Sequence, residues 1–298
     1  VAARFAVKHS IPYFIDVKDQ WPDIFIRAFP TAMQSLARAL FSPYFFMGSY
    51  SIKNANCLVS MTDAFANWAE KYSGRLPHSR RYILPLAPIC QIEEGSGNDL
   101  DPKSDLSISK CIAGKSANNI FFVGNFMRSA FDFNPIIVAA RIALEQGLDW
   151  RFILCGDGDT LEEVVSVAKS LPNIVFLGRV NRSQMTAIAK LCKLGVAPIK
   201  NNPDYLLSIP NKLIDYLSLG LPVLTSLKGE AEYLIKKWRV GSVYSNDIEN
   251  DLFLKLEFYL NNPSITNELS ENSKLLFSSE FDGDKIYNQF SRDILDYV

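Results

Sequence analysis

Ser208-Ile209-Pro210-Asn211-Lys212-Leu213-Ile214-Asp215-Tyr216-Leu217-Ser218-Leu219-Gly220-Leu221-Pro222-Val223-Leu224 decides how the rest of this chain is read. Proline is favoured where a helix starts and glycine where one stops, so Pro210 and Gly220 bracket a helix of about two turns. Pro222 to Thr225 reads as the buried strand that follows. Free N–H groups near Asn211 and Lys212, with the lysine ammonium beside them, suit a diphosphate. Asp215 lies one turn on, where a carboxylate can accept two hydrogen bonds from a ribose diol.

Around this stretch the second half of the chain alternates short apolar runs with amphipathic segments, the pattern of a parallel sheet covered on both faces. Strands are expected at Ile120 to Val123, Phe152 to Cys155, Ile174 to Leu177, Leu194 to Pro198, Pro222 to Thr225 and Gly241 to Tyr244. Asn134-Pro135 opens a helix that Gly147 closes, with Ile137, Ala140 and Leu144 facing the sheet. Thr160 and Glu163 have the spacing of a capping box, followed by an apolar stripe of Leu161, Val164, Val165, Ala168 and Leu171. The first part is less regular, with strands at Tyr13 to Val17, Cys57 to Met61 and Tyr82 to Leu84, and it reads as the second half of another α/β domain. Glu93 to Asn119 is rich in small and polar residues and reads as a linker.

Composition narrows the function. The 298 residues suffice for two domains, and a net charge of −1 offers no broad basic field for nucleic acid. Cys57, Cys90, Cys111, Cys155 and Cys192 are odd in number and widely spaced, as expected of reduced core thiols in a cytoplasmic protein. With only His9 and His78 and no Cys/His cluster, the sequence points to neither a zinc site nor a histidine-based triad. No apolar run is long enough to span a bilayer. The chain begins at Val1 within a segment that reads as helix, so the expectation is a piece that lacks its own N-terminal part.

The quoted stretch resembles the pattern S-x-P-N-K-hydrophobic-x-E-Y-hydrophobic-x-x-G-x-P-hydrophobic of retaining glycosyltransferases of family 4 (group 1), which have the GT-B fold. The resemblance extends more weakly over nearly the whole chain. It implies an α/β protein of two Rossmann-like doubly wound domains, the N-terminal one incomplete. The expected divisions are 1–92 for that domain, 93–119 for the linker, 120–280 for the nucleotide-sugar domain and 281–298 for a helix that crosses back. Gly124 and Asn125 follow the first strand of the second domain, where the family contacts the donor diphosphate; Arg128 lies in the same loop, nearer the glycine than is usual. Gly156-Asp157-Gly158-Asp159 matches the family's glycine-rich turn, with its aspartates serving turning and capping and no metal role. Gly178-Arg179-Val180 resembles a G-x-V segment bordering the nucleobase. Gly229, Glu230 and Glu232 open a helix expected to face the donor sugar and phosphates, although glutamates at a helix start also serve its dipole.

The family often carries two glutamates separated by seven residues. Asp215 occupies the second position, and Leu207 stands at the first, so one carboxylate is absent. In the first domain, Asp19-Gln20-Trp21-Pro22 resembles the family's R-D-x-W-P, and Asp19 is expected to face the crevice between the lobes, near acceptor or donor sugar. Arg38, Phe41, Tyr44, Phe45, Phe46 and Met47 form an aromatic stretch suited either to interior packing or to a membrane interface receiving a lipid-linked acceptor. The implied activity is transfer of a sugar from a UDP- or GDP-linked donor to a saccharide or lipid-linked acceptor in surface polysaccharide biosynthesis. Catalysis would rest on Asp19, Lys212 and Arg128 with no cofactor, at the cytoplasmic side of a membrane. Two other readings share these features: a nucleotide-sugar 2-epimerase of the same fold, and a donor-binding subunit without turnover.

Overall fold

A computed structural model describes residues 1–77, 80–88 and 118–295. His78, Cys90, Cys111 and the expected linker up to residue 117 lie outside these. In chain order the helices are α1 (Ala2–Lys8), α2 (Asp23–Arg27), α3 (Gln34–Leu40), α4 (Ser42–Lys53), α5 (Asp63–Ser73), α6 (Asn134–Glu145), α7 (Leu161–Val167), α8 (Arg182–Ala189), α9 (Pro203–Leu206), α10 (Asn211–Ser218), α11 (Glu230–Trp238), α12 (Asp251–Asn261), α13 (Pro263–Glu280) and α14 (Gly283–Leu295). The strands are β1 (Phe14–Val17), β2 (Cys57–Ser60), β3 (Arg81–Ile83), β4 (Asn118–Val123), β5 (Trp150–Cys155), β6 (Ile174–Gly178), β7 (Leu194–Ala197), β8 (Val223–Thr225) and β9 (Gly241–Val243). All nine fall where the apolar runs predict them; β4 begins two residues earlier, inside the stretch read as linker.

The chain divides into two units. The first comprises Val1–Ala87, Pro203–Ile209 and the segment from Gly283; the second comprises Pro88–Asn202 and Pro210–Asp282. Sequence reading gave 120–280 to one domain without interruption. The structure instead lends Pro203–Ile209 to the first unit, because Leu207 is apolar and packs against that unit's core.

In the first unit β1, β2 and β3 run parallel in that order. Successive residues of a strand point to opposite faces, and every residue of β2 is buried, so both faces are covered. Leu58 joins Val17, Ile52, Met61, Phe65, Ala66 and Ala69 on one face. Cys57 and Val59, with Leu84, meet Ile286, Tyr287 and Phe290 of α14 on the other. The Tyr287 hydroxyl fixes that helix by donating to the Ala87 carbonyl at 3.1 Å.

The second unit is a six-stranded sheet in the order β6-β5-β4-β7-β8-β9, parallel throughout. This is the dinucleotide-binding arrangement, in which the connections change direction between the first and fourth strands, here β4 and β7. Two side chains depart from the predicted helix faces. Leu144 is 41% exposed at the last turn of α6, beyond the arc occupied by Ile136, Ile137, Ala140 and Ala143, and Val165 is likewise 41% exposed while Val164, Ala168 and Leu171 are buried. Thr160 does not form a capping box: its hydroxyl donates to the Phe126 carbonyl at 2.9 Å, and Glu163 pairs with Arg128.

Candidate active site

Parallel strands place the loops after β4, β5, β6, β7 and β8 at one edge of the sheet, and ligands of open α/β sheets gather there. The edge is built by backbone packed on backbone. Gly124 donates to the Cys155 carbonyl at 2.9 Å, Gly156 to the Gly178 carbonyl at 2.6 Å, and Phe126 to the Asp157 carbonyl at 2.9 Å. Gly156 has φ +136, and a Cβ on it would lie 1.7 Å from the Gly124 carbonyl oxygen. Only glycine supplies both that conformation and that approach.

The quoted stretch forms α10 as its punctuation predicts. Pro210 is the N-cap residue, and the chain stops in a Schellman motif: Leu221 donates to Tyr216 O at 2.9 Å and Gly220, with φ +66, to Leu217 O at 3.0 Å. Lys212 and Tyr216, four residues apart, share one helix face. Both reach the end of β4. The Tyr216 hydroxyl accepts from the Val123 N–H at 3.2 Å and donates to the Val196 carbonyl at 3.0 Å. Pairing of β4 with β7 covers Ile120↔Leu194 and Phe121↔Gly195, so this hydroxyl bridges the two strands just beyond that ladder. Gly195 makes room for the ring, since a Cβ there would lie 2.7 Å from it. Sequence reading assigned nothing to Tyr216; its spacing from Lys212 was the available signal.

Lys212 is where structure and expectation part. Its ammonium does not stand among the open N–H groups of the helix start; the residue is 8% exposed and its Nζ donates to the Val123 carbonyl. The rings of Phe122 and Phe131 lie 4.3 and 5.0 Å from Nζ. Burial lowers its pKa to about 7, opposed by the charge of Asp215. Gly124, at φ +148, lies over it, and a Cβ on Gly124 would fall 1.8 Å from Nζ. The helix face that buries Leu213 and Tyr216 carries the lysine stem inward with it.

The remaining expected residues divide among the loops. Asn211 at the start of α10 and Asn125 beside Gly124 are exposed, Asp215 is half-buried, and burial raises the Asp215 carboxyl against the pull of Arg182 and Lys212. Arg128 is engaged by its ion pair with Glu163, and its N–H donates to Asp159 at 3.0 Å. Arg179 is exposed, with Nε 3.2 Å from Asp157, and Val180 is half-buried beside it. The aspartates of the glycine-rich turn are thus occupied by turn and arginine contacts; among the described residues no group of three His, Cys, Asp or Glu converges as a metal site. Gly229, with φ +71, is the exposed N-cap residue of α11, Glu230 is half-buried, and Glu232 pairs with Lys236 at 2.6 Å along the helix.

In the first unit Asp19 is exposed just after β1. It lines a cavity of about 380 Å³ with Ile15, Trp21, Met47, Ile52 and Trp68 among its walls. The absent carboxylate is explained here. Leu207 is half-buried against the Val17, Ile52, Leu58 and Phe65 cluster, and its carbonyl accepts from the Thr62 hydroxyl at 2.5 Å, so a glutamate there would set a partly desolvated carboxylate beside apolar side chains. Asp204 holds the same segment, accepting from the Gln20 N–H at 3.2 Å and from Arg27 at 3.3 Å. Of the aromatic stretch, Phe41 and Phe45 are half-buried, whereas Tyr44, Phe46 and Met47 are exposed. Among the described residues no helix is long and apolar enough to cross a membrane. Cys57, Cys155 and Cys192 are buried free thiols.

Solved structures share this architecture. Sucrose-phosphate synthase from Thermosynechococcus elongatus superposes with a TM-score of 0.66 at 13% identity, covering 99% of this chain and 71% of that one. Alr3699/HepE of Anabaena, solved in complex with UDP-glucose, gives a TM-score of 0.66 at 15% identity over 99% of this chain and 75% of its own. The fold is therefore the α/β GT-B type, with two parallel sheets. In sequence, the chain is 25% identical over 174 residues to a putative teichuronic acid biosynthesis glycosyltransferase, TuaH, of Bacillus subtilis (strain 168). That match takes in 58% of this chain but only 41% of the relative. Residues 117–262, the segment from β4 to α12, match the family model described as Glycosyl transferases group 1.

Proposed function

We propose that the protein is a retaining glycosyltransferase that moves a sugar from a UDP- or GDP-linked donor to a saccharide or lipid-linked acceptor in polysaccharide biosynthesis. The observation that carries this reading is the junction of α10 with the ends of β4 and β7. There α10 starts beside the point where the strand connections change direction, with Lys212 seated on the end of β4 and the half-buried Asp215 one turn on. The relative solved with UDP-glucose and the one whose name places it in teichuronic acid biosynthesis support donor class and pathway.

As the bond to the sugar breaks, negative charge grows on the leaving diphosphate. Fixed donors stabilise such charge most when they stand ready in a site that excludes water. Lys212, the N–H groups at Asn211 and Gly229, and Arg128 once released from Glu163 fill that role without a cofactor. Asp215 accepts from the ribose diol, Arg179 and Val180 border the base, Gly124, Asn125 and Gly156 let the diphosphate approach the backbone, and Glu230 and Glu232 meet sugar hydroxyls. Asp19 acts on the acceptor side. The exposed Tyr44, Phe46 and Met47 receive the acceptor at a membrane surface on the cytoplasmic side.

Leu207 in its apolar cluster favours one competing reading, a subunit that binds donor without turnover. Hydrolysis separates the two. Incubation with a panel of nucleotide sugars should release UDP or GDP slowly from at least one of them. Saturable binding with no release from any donor would establish the binding subunit and overturn the transferase.

A further inference from the structure

Lys212 carries a buried amine with no carboxylate in ion-pair reach among the described residues. Its Nζ rests on a backbone carbonyl between two aromatic faces. The charged groups around it are few. Asp215 lies one turn along the same helix, and Arg182 at the start of α8 acts on that carboxylate. Beneath the helix are the Tyr216 hydroxyl and the thiols of Cys155 and Cys192, whose burial raises their pKa values and keeps them neutral. At the neighbouring loops Arg128 and Arg179 are already paired with Glu163 and Asp157. Lys200 rests on the Arg128 carbonyl, so an anion entering beside Gly124 would meet in Lys212 a basic group with no carboxylate paired to it.

We infer that the donor diphosphate acts as the counter-ion of Lys212, so that each binding event draws one proton from solvent onto the Nζ lone pair and turns a neutral amine into an ammonium. This rests on the donor-site reading above and adds to it that binding is proton-linked. Desolvation disfavours the charged amine while the site is empty, and a bound dianion reverses that preference. Burial holds the lysine near pH 7 in the empty site, far below its ordinary 10.5. Above about pH 7 the empty site sheds its proton while a bound dianion favours the charged amine, so binding weakens as pH rises. Below about pH 7 the lysine is protonated in both states and the linkage vanishes.

The test is titration calorimetry of the full chain with UDP, GDP, ADP and TDP at pH 8.5, in two buffers of different ionisation enthalpy. A free nucleoside diphosphate is fully ionised at that pH, so any proton taken up belongs to the protein. The expected result is uptake of about one proton per nucleotide bound, with affinity falling roughly tenfold per pH unit from 8 to 9. Lys212→Arg stays charged throughout, so it should bind with neither uptake nor pH dependence, and Lys212→Met should also lose the uptake. Wild-type binding with no proton exchange, or uptake that persists in either variant, overturns the inference and leaves the donor site standing. Failure of all four nucleotides to bind at any pH removes the donor-site reading and the inference together. Thermal melts of the variants report their folding, and the wild-type heats decide the matter even if both variants unfold.

Discussion

Pro203–Ile209 and α10 are adjacent in sequence and opposite in what they bury. The first belongs to the unit built on β1 to β3 and is held by an apolar side chain, Leu207, together with backbone and carboxylate hydrogen bonds through Thr62 and Asp204. The second belongs to the unit built on β4 to β9 and buries an ionisable side chain, Lys212, against a strand carbonyl. At Leu207 an apolar residue occupies the position where the family pattern favours an acid; at Lys212 an ionisable residue occupies a position where stability alone would favour an apolar one. Packing accounts for the former, and the charge of the proposed donor would account for the latter.

Leu207→Glu offers the most direct way to break this contrast. A carboxylate at this half-buried position beside Val17, Ile52, Leu58 and Phe65 should cost about 1–3 kcal/mol of unfolding free energy by urea titration. Unchanged stability with increased turnover would instead mean that the position is an open catalytic site. Lys212→Met sharpens the contrast from the other side. Nucleotide affinity should fall on the order of 30-fold or more, while stability at pH 6 holds or rises because a buried charge without a carboxylate partner is gone.

The wild type should show the same effect through pH. A lysine whose folded pKa lies below its unfolded value binds fewer protons in the folded state between the two. Stability should therefore rise from about pH 7 toward 10.5, at up to about 1.4 kcal/mol per pH unit, and this rise should flatten in Lys212→Met. Tyr216→Phe leaves the Val123 N–H and the Val196 carbonyl without their side-chain partner and should cost about 1–3 kcal/mol in the same melts. Arg179→Ala is the smallest change expected. Its pair with Asp157 is solvent-exposed, so stability should move by less than about 0.5 kcal/mol, and a larger loss would mean that the β6 loop is held more tightly than its geometry implies.

Much of the architecture could be read from the chain because its signals are local. The apolar runs at Phe152 to Cys155 and Leu194 to Pro198, and the proline and glycine that bound α10, state their own structure. Side-chain destinations were less legible, because each depends on a partner distant in sequence. The Lys212 ammonium finds the Val123 carbonyl, Thr160 finds the Phe126 carbonyl in place of its own helix, and Leu207 finds a core formed by residues from the first third of the chain. Helical spacing shows that Lys212 and Tyr216 lie on one face, but not that this face meets the end of a strand. Leu144 and Val165 follow the same rule: periodicity places them near the edge of an apolar arc, and only the packed neighbours fix where that arc ends.

Val123 gives both of its main-chain polar groups to side chains from a single helix, and one of these, Tyr216, alone carries the link across to β7. The ladder deeper in the sheet does not depend on that fastening. A substitution at Tyr216 would therefore be felt first at the carboxyl edge of the sheet, while its topology stands.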